Sequence, residues 1–265
     1  MHDGPTRSHI RWVAGFVALF FVLTAGYAGS ARADEPGDST TSSPVVFIGF
    51  SGVTWDNISE EDTPHLWEFA SEAAGANSVV RTVRETTCPV EGWLTLGAGQ
   101  RTRDVNNSCR TIAGPEPSSD MAVGHWDDYL RANENNKFDA QLGVLGDALD
   151  GHKLGAIGPG AAVALATAHG SLTADYADVG PLPGSVEGSK AGAPDPDTST
   201  AARAFADMAS GKDLVMIDLG SVRYPEALLT ERASAEVKES DPFRDSLKSV
   251  SAAFRSLGDA PDSVM

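Results

Sequence analysis

Short apolar runs alternate with helix-like segments along most of the chain. The runs at residues 45–50 and 214–219 are almost continuously apolar, which is typical of strands buried on both faces of a parallel sheet. Residues 153–157 predict a strand of the same kind, and residues 78–84 predict another. Apolar residues at helical spacing fill the stretches between them, and several of these stretches open on a proline. The predicted helices cover residues 63–74, 89–98, 139–149, 161–168, 201–210 and 242–257.

This alternation predicts an α/β fold with a mainly parallel sheet and helices on both faces. Parallel strands need crossover connections, and these are usually helices. Residues 262–265 follow a helix and a turn, at the place where the next strand is expected to begin. The domain is therefore expected to be incomplete at its C-terminus, with a frayed tail as the alternative.

The first 33 residues have the pattern of an export signal. Arg7 and Arg11 precede an apolar run over residues 12–28, and a small-residue Ala-x-Ala sequence closes the segment at Ala33. A basic flank, an apolar centre and small residues at the cleavage site are the features of a signal peptide. The run is also long enough, at the lower limit, for an uncleaved membrane anchor.

The export signal divides the chain into three predicted parts. Residues 1–33 are a signal peptide or an N-terminal anchor. Residues 34–44 contain no apolar side chain that could join a core, so they are expected to be a flexible tether. Residues 45–265 form the α/β domain. We expect this domain on the extracytoplasmic side of the membrane, either secreted or membrane-anchored.

Composition and charge narrow the function classes. Hydrophobic residues make up 41% of the chain, which is enough for a core and excludes wholesale disorder. The net charge of −17, from 20 Lys and Arg against 37 Asp and Glu, repels phosphate backbones and argues against nucleic acid as a partner. The two cysteines are too few for a disulfide-rich scaffold or a four-thiolate zinc site.

Thr87 is the most informative polar position. A strand is expected to end near Arg84 and a helix to begin at Pro89, which places Thr87 at the carboxyl edge of the sheet, where open α/β sheets bind ligands. The first backbone N–H groups of the helix, at Val90 and Glu91, favour an anion beside this hydroxyl. From these residues alone, a simple capping turn before a Pro-initiated helix remains the alternative.

Residues 87–97 resemble the nucleophile motif of the alkaline phosphatase superfamily. In that motif a Ser, Thr or modified Cys is followed by x-Pro at a helix start, and in the phosphodiesterase branch a Gly ends the motif. Thr87, Pro89 and Gly97 reproduce this spacing. The Thr-Pro-His-Leu element at residues 63–66 is similar to the one that opens the first helix in the superfamily. More closely, the chain resembles exported, membrane-associated proteins of high-GC Gram-positive bacteria that are alkaline phosphatase-like by sequence.

The resemblance runs from about residue 45 to the end of the chain, and it implies Thr87 as the nucleophile with two metal ions, usually zinc, held by Asp and His. The first ligand is normally an Asp just after the first strand, where this chain has Phe-Ser-Gly at residues 50–52. Asp218 is a weak candidate for the Asp of an Asp-x-x-x-His pair, because Val222 stands where the His is expected. The other ligands would lie beyond the end of the chain. No cofactor is evident, and a divalent, zinc-type metal is expected only if those ligands exist.

The first turn of the predicted helix departs from the superfamily in charge. Glu91 would repel a phosphate or sulfate dianion there, whereas sulfatases have Arg at that spacing. Cys88 and Cys109, the only thiols of a chain that carries an export signal, are predicted to form a disulfide. A catalytic thiol at Cys88 is the alternative, one residue out of the motif's register.

Two functions follow from these observations. The favoured one is a non-catalytic cell-envelope protein that uses the helix-mouth site or its acidic surface to bind an envelope component, a membrane or another partner. The alternative is a metal-dependent extracytoplasmic phosphatase or phosphodiesterase that acts on a small phosphoester with Thr87 as its nucleophile.

Overall fold

A computed structural model describes residues 43–76, 81–84, 87–105, 109–116, 121–179, 199–222 and 241–258. The strands are β1 (Val45–Ser51), β2 (Leu154–Ile157), β3 (Asp175–Ala177) and β4 (Leu214–Ser221). The helices are α1 (Pro64–Glu72), α2 (Pro89–Ala98), α3 (Trp126–Asn133), α4 (Val144–Ala148), α5 (Pro159–Leu165), α6 (Ser199–Met208) and α7 (Asp241–Gly258), with a 3₁₀ turn at Trp55–Asn57.

The four strands form one parallel sheet in the order β1-β4-β2-β3. In this register Ile48 of β1 lies beside Ile217 of β4, which lies beside Ile157 of β2. Successive strand residues point to opposite faces, so these three side chains share one face of the sheet. The predicted α/β class with a parallel sheet is confirmed at this level of detail.

Helices cover both faces of the sheet. On one face, the side chains of Ala156 and Met216 pack against α2 and α5. On the other face, Ile157 and Ile217 pack against α6 and α7. The side chains of α1 and the first half of α7 form a third, smaller cluster with Val222, just after β4. The two central strands, β4 and β2, are thus buried on both faces. The carboxyl ends of β1, β2 and β4 lie along one edge of the sheet.

Several predicted elements differ from the structure in burial or extent. The first strand was expected to be buried on both faces, but Val45 is 68% exposed, because β1 lies at the end of the described sheet and pairs with β4 alone there. Of the strand predicted at residues 78–84, residues 78–80 lie outside the described residues. Residues 81–84 are not a strand, and the Val83 N–H donates to the Thr102 carbonyl instead. The helix predicted at residues 139–149 is reduced to α4.

The short length of α4 has a backbone cause. Asp139 has a φ of 53° and Gly143 a φ of 85°, and both values interrupt a right-handed helix. A Cβ on Gly143 would also overlap the backbone at Thr167 and Ala168. The chain therefore approaches its neighbour closely at Gly143, and the helix begins only after it.

Some predictions fall on other parts of the chain. The predicted export segment, residues 34–42 of the predicted tether and the last residues 262–265 lie outside the described residues. Within the described ranges, no helix combines the length and the apolar composition that a membrane span requires.

Candidate functional site

The predicted nucleophile lies at the start of α2, where the motif placed it. Thr87 is half-buried and directly precedes Cys88, the N-cap residue of this helix. Its methyl carbon lies 3.8 Å from the position that a Cβ on Gly92 would take, so the side chain sits beside the first turn. The catalytic role of Thr87 stays a prediction.

The N-terminus of α2 is filled by a carboxylate of its own first turn. Glu91 is fully buried, and its Oε1 forms an ion pair with Arg84 Nε at 2.9 Å and accepts a hydrogen bond from the Asp104 N–H at 3.0 Å. Its Oε2 accepts from the Cys88 N–H at 3.3 Å. A carboxylate at this point is stabilised by the helix dipole and satisfies donors that the helix leaves unpaired. Glu91 therefore supplies, from within the chain, the anion that the helix mouth favours.

Cys88 completes the capping arrangement. Its Sγ accepts from the Glu91 N–H while the Glu91 side chain bonds back to the Cys88 N–H, which is a capping box with Cys in the place of Ser or Thr. The same sulfur is bonded to Cys109, with the two Cα atoms 5.3 Å apart. One of the two amides predicted to bind an anion, that of Glu91, thus already donates to a sulfur atom. The other belongs to Val90, whose side chain is fully buried.

Opposing effects act on the charge of Glu91. Burial raises the pKa of this carboxyl, and the Asp104 N–H, the Arg84 guanidinium and the Cys88 N–H lower it again, with a net direction upward. The Arg84 side chain keeps 19% of its surface exposed, so this pair is buried on the Glu91 side and reaches solvent on the other. The positive charge of Arg84 offsets the negative charge of Glu91, so the helix mouth carries little net charge.

A second group of ion pairs, centred on Arg110, holds the loop that contains Asp104. The Arg110 guanidinium donates to both oxygens of Asp104, at 2.6 and 2.5 Å, and to Asp128 at 2.9 Å. It lies 5.1 Å from the centre of the Tyr129 ring, and its contact with Asp104 raises the pKa of Arg110. Because Asp104 also donates its N–H to Glu91, these charges fix the loop before the disulfide against the start of α2.

Asp218 forms a matching arrangement at the start of α5. It lies at the carboxyl end of β4 beside Gly49 of β1, and its Oδ2 accepts from the Gly160 N–H at 2.8 Å. Its Oδ1 accepts from the Gly220 N–H at 2.8 Å. Burial raises the pKa of Asp218 to about 6, against the opposing effect of these N–H groups and of the Trp93 indole. Both helix starts at this edge therefore hold a carboxylate of the chain itself.

Trp93 joins the two helix starts. A Cβ on Gly49 would overlap its six-membered ring, and a Cβ on Gly160 would overlap its Nε1 together with Asp218 Oδ2. Its ring also meets the edge of Phe47, with 6.1 Å between ring centres. The glycines at these positions are needed because the indole fills the space between β1, α2 and α5.

The residues described at this edge do not fit a two-zinc centre. Asp218 is a single carboxylate whose two oxygens already accept N–H bonds. Ser51, at the position of the first expected ligand, offers only a hydroxyl; its Oγ is buried and has no hydrogen-bond partner within the described ranges. Over those ranges, no three His, Cys, Asp or Glu side chains are grouped so that they could hold a metal ion. Within the described ranges, the histidines after α2 are all exposed: His125, His152 and His169.

Sequence reasoning missed the partners of the two carboxylates. Glu91 was expected to face an incoming anion, whereas it points into the protein toward Arg84 and Asp104. The signal was present, since Glu stands three residues after the N-cap Cys88, the spacing of a capping box. The hydrogen bond between Asp218 and Gly160 joins residues that are far apart in sequence, so no local sequence pattern indicates it.

No protein-family model matches the chain, and a search of curated proteins finds no match either. The likeness to the alkaline phosphatase superfamily therefore stays a prediction from motifs.

Proposed function

We propose that the chain is an exported cell-envelope protein with an alkaline phosphatase-like domain that binds a partner and does not hydrolyse phosphoesters. The observation that supports this most directly is the buried Glu91 carboxylate at the start of α2. It accepts a hydrogen bond from the Cys88 N–H at the helix start that directly follows Thr87, so this donor is already paired. The Asp218 carboxylate likewise accepts from the Gly160 N–H at the start of α5.

The electrostatics of the helix mouth support this proposal. Arg84 is paired with Glu91. Its guanidinium therefore leaves no surplus positive charge for a phosphate dianion beside Thr87. A phosphoester that took over the Cys88 N–H would have to displace the buried Glu91 carboxylate.

The net charge of the chain indicates which kind of partner it would bind. With a net charge of −17, the chain attracts cationic groups and repels nucleic acids and anionic polymers. We place the protein on the extracytoplasmic side of the membrane, secreted or anchored, where it would bind a cell-envelope component that carries positive charge. No cofactor is required for this function.

The alternative is a metal-dependent extracytoplasmic phosphatase or phosphodiesterase. The position of Thr87, half-exposed directly before the N-cap of α2, favours it. A zinc-type metal would then have to be held by residues outside the described ranges, and the hydroxyl alone is a weak nucleophile at neutral pH.

One experiment separates the two functions. The purified full chain is incubated with Zn²⁺ or Mn²⁺ and assayed with a generic phosphodiester and a generic phosphomonoester. The proposal predicts the same background rate for the wild type and for Thr87→Ala. Turnover that Thr87→Ala abolishes, and that the exposed control Thr173→Ala retains, would establish the hydrolase instead.

Binding is tested by sedimentation with isolated cell envelopes. We expect the wild type to pellet with envelopes at low salt and to be released by about 0.5 M NaCl, because salt screens contacts made by an acidic surface. A protein that stays in the supernatant at every salt concentration would contradict the binding function.

A further inference from the structure

We propose that Cys109 is a site of reversible S-thiolation, at which a low-molecular-weight thiol opens the disulfide, bonds to the Cys109 sulfur and releases Cys88 as a thiolate. The proposal is independent of the proposed function, because it concerns the chemistry of two sulfur atoms and not the binding of a partner. It rests on the different exposure of the two cysteines, on the position of Cys88 at the start of α2, and on the ion pairs of Arg110, the residue after Cys109.

The two cysteines differ in their access to solvent. Cys88 is 1% exposed and belongs to the main core cluster, together with Val90 and Leu94 of α2. Cys109 packs against that cluster and is partly exposed. A thiolate opens a disulfide by approaching one sulfur in line with the S–S bond, so access decides which sulfur is attacked. An external thiol therefore attacks Cys109, because core side chains block the approach to Cys88.

The start of α2 makes Cys88 the better leaving group. Its Sγ accepts from the Glu91 N–H, and a negative charge at a helix N-terminus is stabilised by the helix dipole. A thiolate that is stabilised in this way leaves faster in the exchange. The Glu91 carboxylate opposes this effect, but Arg84 pairs with it and offsets its charge. Cys109 lies outside the described helices, so no helix dipole supports a thiolate there.

The exchange needs only the external thiol. Its thiolate forms a bond to Cys109 Sγ as the bond between the two protein sulfurs breaks, and the electron pair of the broken bond stays on Cys88 Sγ. In the reverse step the Cys88 thiolate attacks Cys109 Sγ and expels the external thiolate. Each direction exchanges one disulfide for another, so no net oxidation or reduction occurs.

Ion pairs keep the two sulfurs close after the disulfide opens. Arg110 directly follows Cys109, and its guanidinium binds both oxygens of Asp104 and one oxygen of Asp128. The Asp104 N–H donates in turn to Glu91 of α2 at 3.0 Å. None of these contacts includes a sulfur atom, so they remain when the disulfide opens. The displaced thiolate therefore meets the modified sulfur at a high effective concentration, which makes the modification reversible.

The position of the adduct in the wild type tests the proposal directly. The folded full chain is incubated with a mixture of reduced and oxidised glutathione, quenched in acid to stop the exchange, digested with pepsin and mapped by mass spectrometry. We expect glutathione on Cys109 in at least about tenfold excess over Cys88, because access favours the first sulfur. An adduct mainly on Cys88, equal adducts on both cysteines, or no adduct unless urea is added would overturn the proposal.

Two single variants test the access of each sulfur separately. Cys88→Ala leaves the Cys109 thiol, and Cys109→Ala leaves the Cys88 thiol. With oxidised glutathione, we expect Cys88→Ala to form its mixed disulfide at least about tenfold faster, as followed by intact mass, because Cys88 is buried. Both variants lack the same disulfide, and near-UV circular dichroism checks that both are folded. Equal rates in the folded variants, or a faster reaction of Cys109→Ala, would contradict the proposal.

Arg110→Met tests the return step. After the external thiol is removed, we expect this variant to release glutathione at least about threefold more slowly than the wild type, because its Cys109 is no longer held near the displaced thiolate. The matched control is Arg131→Met, since Arg131 pairs with Asp128 from the exposed side, and it should release glutathione at the wild-type rate. Release from Arg110→Met at the wild-type rate would show that the ion pairs do not hold the two sulfurs together.

Discussion

The Arg84 contact with Glu91 allows a quantitative test of the filled helix mouth. Arg84→Met keeps most of the aliphatic stem and leaves the fully buried Glu91 carboxylate without its cation. Breaking a buried pair in this way costs about 3–5 kcal/mol. Because the Cys88 and Asp104 N–H groups remain and Arg84 is 19% exposed, we expect a loss near the lower limit, about 3 kcal/mol.

The pH dependence of this loss carries a definite sign. The folded-state pKa of Glu91 lies above its ordinary value of 4.5, so ionised Glu91 destabilises the fold as the pH rises through the folded pKa. Removing Arg84 raises this pKa further. The deficit of Arg84→Met should therefore be largest at neutral pH and smaller in acid, where protonation of the carboxyl relieves the unpaired charge.

Urea unfolding with the disulfide intact, followed by tryptophan fluorescence, measures these free energies. Arg81→Met is the matched control, since Arg81 is exposed in the same segment, and it should change stability by less than about 0.5 kcal/mol. Arg84→Met combined with Glu91→Gln should lose less than the sum of the single changes, by about 1–3 kcal/mol. An Arg84→Met protein as stable as the wild type at neutral pH, or a deficit that grows in acid, would refute the buried pair.

Three further predictions follow from the same edge of the sheet. Gly160→Ala should cost about 2–4 kcal/mol of unfolding free energy despite the better helix propensity of Ala, because its Cβ overlaps Asp218, whereas Gly75→Ala, with open space around it, should be neutral. The pKa of Asp218 is raised to about 6 from 3.8, so protonation of this carboxyl should add up to about 3 kcal/mol to the unfolding free energy of the wild type as the pH falls from about 7 to about 4. Asp218→Asn should lack this gain in the same urea series. Replacing Cys88 and Cys109 together by Ala opens a loop with a sequence separation of 21 and should cost about 3 kcal/mol, which thermal unfolding would detect; equal melting temperatures would refute a stabilising role.

The predictable parts of the fold are those with a strong local pattern. The strands at β2 and β4 and the helices α2, α6 and α7 were predicted within two residues of their ends, because continuous apolar runs and Pro-initiated helices mark them. β3 has three residues, of which only Tyr176 and Ala177 are even partly buried, and so few residues give no period. α3 was missed because its N-cap residue, His125, lies in the left-handed region and is not a typical capping residue.

The site was less predictable than the fold. Thr87 and the Cys88–Cys109 pair followed from a motif and from the cysteine count, and the structure places Thr87 at the start of α2 and joins the two sulfur atoms. The direction in which Glu91 points depends on Arg84 and Asp104, which come from two different loops. Which residues neutralise a buried carboxylate is decided by tertiary contacts, and a single sequence does not record these.

The Glu91 and Asp218 carboxylates accept from backbone N–H groups at the starts of α2 and α5, which leaves these donors unavailable to a phosphoryl group. Titration of the isotope-labelled protein with orthophosphate, followed by the amide chemical shifts of Cys88, Val90 and Gly160, tests it most directly. We expect no saturable shift at these amides up to about 10 mM phosphate, which corresponds to less than about 3 kcal/mol of binding free energy. Saturable shifts at Cys88 and Val90 with a Kd below about 1 mM would contradict it.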